Sequence, residues 1–183
     1  MRKPGFADRL GLDVMRLKLA TGNLTSADEY MEMAQLALQA GLPTEGRTIV
    51  ERGKAAGVLG TGPEAARHQR LLDLALKQEA EQAAGLDKAA ADAAAAKDGN
   101  ALVQLGTVYA TLGQVDKGVQ LIEQGIAKGG LKRPDDARLR LGQAMLLSAK
   151  QRTKAQQVLR AVQGKDGTAD IARLFAIQAS QQG

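Results

Sequence analysis

The chain of 183 residues has no cysteine and no tryptophan, and only two tyrosines, two phenylalanines and one histidine. Lack of cysteine excludes disulfides, thiolate metal sites and a cysteine nucleophile. A lone histidine, His68, leaves a zinc site short of its usual ligands. No run of about 18 apolar residues occurs, so no transmembrane helix is expected. Strand signals are equally scarce, because no stretch alternates cleanly between apolar and polar residues. The opening Met1-Arg2-Lys3-Pro4-Gly5 has the basic end of a secretory leader but not the apolar run that should follow it. The expected compartment is the cytoplasm, or the periplasm if a leader has been removed.

What is present is a 44% hydrophobic complement of small and aliphatic residues with 21 glycines. That composition suits closely packed helices. The strongest signal is an internal repeat. Ile49 to Leu59 aligns without gaps on Leu121 to Leu131, pairing Glu51 with Glu123, Gly53 with Gly125, Ala55 with Ala127, Gly57 with Gly129 and Leu59 with Leu131, at an offset of 72. Gly41 and Gly113, and Gly46 and Gly118, obey the same offset. Leu105-Gly106 recurs as Leu141-Gly142, 36 residues on, so each offset holds two units of about 36 residues. Such a unit accommodates two helices and two turns.

The spacing predicts ten helices, at about 6–21, 26–40, 44–57, 63–82, 87–96, 100–112, 115–128, 135–149, 152–162 and 168–180. Ser26 to Glu29 reads as a capping box. Thr44, Asp135 and Thr168 are expected caps. The first helix has two readings. Leu10, Val14 and Leu17 share one face, as in the second helix of a hairpin, which would make the chain begin mid-repeat. Alternatively it ends at Gly22 and pairs with 26–40.

Leu102-x2-Leu105-Gly106-x2-Tyr109, followed by Gly118, Ile122 and Gly125, resembles the tetratricopeptide repeat, in which a small residue lets the partner helix approach. Leu141-Gly142-x2-Met145 with Ala155, Leu159 and Val162 repeats the pattern, as does Met33-Ala34-x2-Ala37 with Gly46, Val50 and Gly53. The longer unit is also similar to Sel1-like repeats, and the segment 164–174 is similar to the ends of bacterial repeat proteins. Departures are the missing tryptophan and Arg70, which stands where a small residue is expected. The resemblance implies an all-α fold, with tandem antiparallel helix hairpins in a right-handed α-solenoid over 1–183. Its units are 27–62, 63–98, 99–134 and 135–167, with an N-terminal helix at 6–21 and a capping helix at 168–180.

Catalytic and cofactor signals are weak. His68 lies in a polar helical stretch and reads as a solvated residue. Gly57-x2-Gly60-x-Gly62 lacks the lysine and the strand-to-helix context of a phosphate loop and reads as a turn, as does Gly129-Gly130-Leu131-Lys132. Asp28-Glu29 and Asp135-Asp136 sit where helix starts favour negative charge. Asn23-Leu24-Thr25 matches a glycosylation acceptor but reads better as a turn. The alanines of 83–96 suit a close-packed spacer more than a membrane or partner surface. Neither a cofactor nor a metal is expected.

Between Lys132 and Arg173 there are ten Lys or Arg and four Asp, a net +6, while the rest of the chain nets −1. This excess is compatible with a solvated surface or with an acidic partner. Nucleic acid is disfavoured by the near absence of aromatics for stacking.

The resemblance implies a non-catalytic protein–protein interaction scaffold that binds a peptide or partner protein on a concave face, as a monomer or weak dimer. The residues it places there are Asn100, Val103, Thr107, Ala110, Thr111, Leu139, Gln143, Leu146 and Leu147, with Met31, Gln35 and Leu38 in the first unit. The lysine and asparagine clamp of carboxylate-binding members is missing. The alternative is an accessory repeat domain of a larger protein whose activity lies elsewhere.

Overall fold

The computed structural model describes residues 6–181. Among them there are nine α-helices, two short 3-10 turns (Asp8–Leu10 and Ala149–Gln151) and no strand. The helices are α1 (Gly11–Ala20), α2 (Ala27–Gln39), α3 (Pro43–Ala55), α4 (Ala65–Ala95), α5 (Asn100–Thr111), α6 (Val115–Lys128), α7 (Pro134–Leu146), α8 (Arg152–Arg160) and α9 (Thr168–Gln181). The chain forms two compact units, Gly11–Leu86 and a second made of Met1–Leu10 with Asp87–Gly183.

The largest departure from expectation is α4. The sequence predicts two helices, 63–82 and 87–96, closing a repeat unit over 63–98. A single helix of 31 residues runs through instead. The expected break fell between Gln82 and Asp87, where the one glycine, Gly85, costs a helix only about 1 kcal/mol. Alanine, the best helix former, surrounds it, and no proline stops the chain. Merging these two helices turns ten into nine.

In the unit Gly11–Leu86, α1 packs on α2, a contact that both readings of the first helix expect. Its first expected turn is a 3-10 segment that belongs to the other unit. Arg16 spans from α1 to Glu45 on α3 through two bonds of 2.7 and 2.6 Å, and also meets the fully buried Asp13 at 3.1 Å. Helix α2 opens with the expected capping box: the Glu29 amide donates to Ser26 Oγ at 3.3 Å and the Ser26 amide to Glu29 Oε2 at 3.1 Å. Lys18, together with the Thr25 and Ser26 amides, draws the Glu29 carboxyl down to about 2. Thr44 does not cap α3; Pro43 occupies the first turn, and the cap position is Leu42. Helices α2 and α3 run antiparallel, with Gly46 against Leu38 and Gly53 against Tyr30.

In the other unit, α5 and α6 pair antiparallel through facing glycines. A Cβ on Gly106 would lie 2.6 Å from Gly118 O, and one on Gly125 would lie 2.7 Å from Gly99 O. Two glycines seven apart on one segment therefore meet two seven apart on the other, and the backbones touch. Gly118 also faces Ala110 as Gly46 faces Leu38, so the offset of 72 seen in the sequence reappears as one crossing geometry. Gly142 lies beneath Leu159 at the α7–α8 crossing. Ile122, Met145 and Ala155, all fully buried, join Ala110, Val119, Leu141 and Ala144 in the core of this unit. Consecutive helices from α5 to α9 are neighbours, and alternate helices also touch, α5 with α7 and α7 with α9.

Candidate partner-binding face

The residues expected on a binding face divide into two groups. Leu139 is fully buried, Ala110 is 4% exposed and Thr107 9%. These three are core residues. The Thr107 hydroxyl donates to Val103 O at 2.9 Å and the Thr111 hydroxyl to Val108 O at 2.8 Å, so both serve their own helix. Val103 and Leu146 are half-buried against the α5–α8 core, on helices that touch one another. Gln143 is half-buried, and its Oε1 accepts from Arg140 at 3.0 Å. Leu147, at the C-terminal end of α7, is 61% exposed. In the Gly11–Leu86 unit Met31 is buried, Leu38 is half-buried against Gly46, and Gln35 is exposed.

Asn100 has a specific structural task. Its amide group donates to Gly130 O at 3.2 Å, and its Oδ1 accepts the Lys132 amide at 3.1 Å. One side chain thus closes the loop between α6 and α7. Asp98 accepts the Asn100 amide at 2.9 Å, the standard side-chain answer to an orphan donor at a helix start. These bonds, the Asn100 side chain foremost, hold the Asp98 carboxyl below its ordinary value. The pair Asp98-x-Asn100 just ahead of an apolar helix was a legible signal that the repeat reading overlooked.

The acidic pair Asp135-Asp136 does more than favour a helix dipole. Asp135 accepts the Gln163 amide at 3.2 Å and Arg138 at 3.0 Å. Asp136 accepts a two-pronged Arg9 guanidinium, at 2.8 and 2.9 Å. Arg9 reaches Asp166 as well, at 2.6 Å, while the Ala7 amide donates to Asp166 O at 2.9 Å and Phe6 covers Gly167. Thr168 begins α9 without capping it: its amide and hydroxyl both donate to Asp166 Oδ1, at 3.3 and 2.6 Å. Thr168 and then Arg9 hold the Asp166 carboxyl well below the carboxylate range. No sequence pattern announces a contact across 127 or 157 residues.

His68 is a correction. It is 5% exposed, and its Nδ1 accepts the Gly60 amide at 3.0 Å. The glycine loop it braces has other amides engaged as well: those of Val58 and Leu59 donate to Gly53 O, both at 3.0 Å. A phosphate cradle needs such amides free, so the turn reading fits.

The basic residues of the C-terminal third include groups at both ends of α7. Lys132 and Arg133 precede α7, whereas Lys150 and Arg152 lie at the α7–α8 turn, near the opposite end of α7. Lys154 pairs with Glu123 at 2.7 Å and Arg138 with Asp135. Among the described residues there is no group of three or more His, Cys, Asp or Glu placed to hold a metal, and no helix is long and apolar enough to cross a membrane. Comparison with protein-family models, with curated proteins and with solved structures gives no match.

Proposed function

We propose that the chain is a non-catalytic binding scaffold of the tetratricopeptide type, in which the hairpins α5–α6 and α7–α8 and the closing helix α9 stack as a short right-handed solenoid. The observation that supports this reading is the contact of α5 with α7 and of α7 with α9, as expected where the first helices of successive hairpins and a closing helix share one layer. In such a layer the face turned from the second helices is the surface for an extended peptide or a partner helix. The residues proposed for it are Gln143, Leu146 and the exposed Leu147, whereas Val103 turns toward Gly125 of α6. Backbone-to-backbone packing at Gly106 and Gly118 supports a rigid α5–α6 hairpin, and rigidity lowers the cost of ordering on association. The net +6 between Lys132 and Arg173 would favour an acidic partner on this unit.

The test uses Gln143→Ala/Leu147→Asp, which changes surface side chains and leaves Leu139 alone. Native complexes are isolated from the source cells with wild type and variant at matched helicity and melting temperature. The scaffold reading expects a defined partner with wild type and at least a tenfold loss with the variant, a change of about 1.4 kcal/mol. Equal recovery would remove this face from consideration.

A further inference from the structure

We infer that His68 is a protonation-sensitive latch on the loop between α3 and α4. A neutral imidazole has one ring nitrogen that accepts and one that donates. Nδ1 accepts the Gly60 amide at 3.0 Å, so the proton of the neutral ring is on Nε2. A doubly protonated ring has two donors and no acceptor, and would set Nδ1–H against the Gly60 N–H. The bond therefore exists only while the ring is neutral. This is the sole histidine in a chain without cysteine.

The loop is built so that this bond matters. Gly57, Gly60 and Gly62 all have positive φ, of 70°, 85° and 72°. Between them Leu59, 2% exposed, sits over Gly53, where an added Cβ would lie 2.7 Å from Leu59 Cδ1 and 3.1 Å from the Tyr30 ring of α2. The front of the loop is tied to α3 by the Val58 and Leu59 amides on Gly53 O. Its rear half is tied to α4 by the Gly60 amide on His68 and by the Ala65 amide donating to Gly62 O at 3.2 Å.

The charged groups beside the latch are few. From α3, Lys54 lays its methylenes along Gly60 and donates to Gln69 Oε1 at 3.0 Å. Just before and within α4 are Glu64 and Arg67, 3.4 Å apart, and the His68 amide donates to the Glu64 carbonyl at 3.0 Å. Neither Glu64 nor Lys54 bonds the imidazole Nδ1, which the Gly60 amide occupies. Protonation frees the Gly60 amide, while Leu59 keeps its bond to Gly53 O and Gly62 its bond to Ala65.

The experiment is amide NMR and hydrogen exchange, corrected for intrinsic rates, on the full chain from about pH 8 to 5. Wild type is compared with His68→Asn, whose Oδ1 stands near the place of Nδ1 and does not titrate, and with His68→Ala. Ile49 in the middle of α3 reports the fold. In wild type, Gly60 protection should drop about tenfold as the ring protonates while Ile49 stays protected. The asparagine variant should hold Gly60 at every pH, and the alanine variant should leave it unprotected throughout. Three results would overturn the latch: Gly60 protection in wild type that ignores ring protonation, the same pH-dependent loss in His68→Asn, or loss at Ile49 in step with Gly60.

Discussion

Gly106 and Gly118 face each other so closely that a Cβ on either would stand 2.6 Å from the other's carbonyl oxygen. No rotamer relieves such a clash, because the obstructing atom is backbone. Gly106→Leu should therefore cost at least the 1–3 kcal/mol usual for overpacking, about 3 kcal/mol. Gly85, inside α4 with open space around it, is the control. Gly85→Ala should stabilise by about 0.4–1 kcal/mol through the unfolded chain and helix propensity. Thermal melts of the two variants should move in opposite directions.

Helix α4 can be measured directly, since a chain without cysteine accepts two spin labels cleanly. Arg70 and Asp92 are both exposed. A continuous helix separates their Cα atoms by about 33 Å at 1.5 Å per residue. A hairpin breaking near Gly85 would place them far closer. A narrow distribution near the longer distance, widened only by label length, is the expected result.

The Arg9 clamp should respond to acid. Asp166 has its carboxyl lowered by Thr168 and Arg9, so its contribution is complete above the unfolded carboxylate value, about 3.9, and fades as pH falls toward the lowered folded value. Arg9→Ala should release the amide of Ala7 to exchange while changing global stability by under about 1 kcal/mol, because the ion pair is partly solvated. Exchange at Ala7 identical to wild type would show that Arg9 does not hold the segment.

The sequence made the helices legible where small residues recur at fixed spacing. Gly46, Gly106, Gly118, Gly125 and Gly142 stand at crossings because only small residues permit those approaches, and that steric demand leaves a periodic trace. It failed over residues 83–86, an alanine-rich stretch taken as a gap between two helices although nothing in it stops a helix. It failed at His68 and Arg9 for another reason. Their partners are a backbone amide eight residues back and carboxylates over 100 residues away, and neither relation has a period. On the candidate face, the resemblance placed Leu139 and Thr107 outward, yet both are buried.

The central claim is that one face of the layered helices binds a partner. A photoreactive amino acid placed in turn at Leu147, just past the end of α7, and at exposed Gln157, on α8, tests it most directly in living cells. The account predicts a discrete cross-linked adduct from position 147 that position 157 does not give, and its loss when Gln143→Ala is added. Adducts of equal yield from both positions, or an adduct from 157 alone, would contradict it.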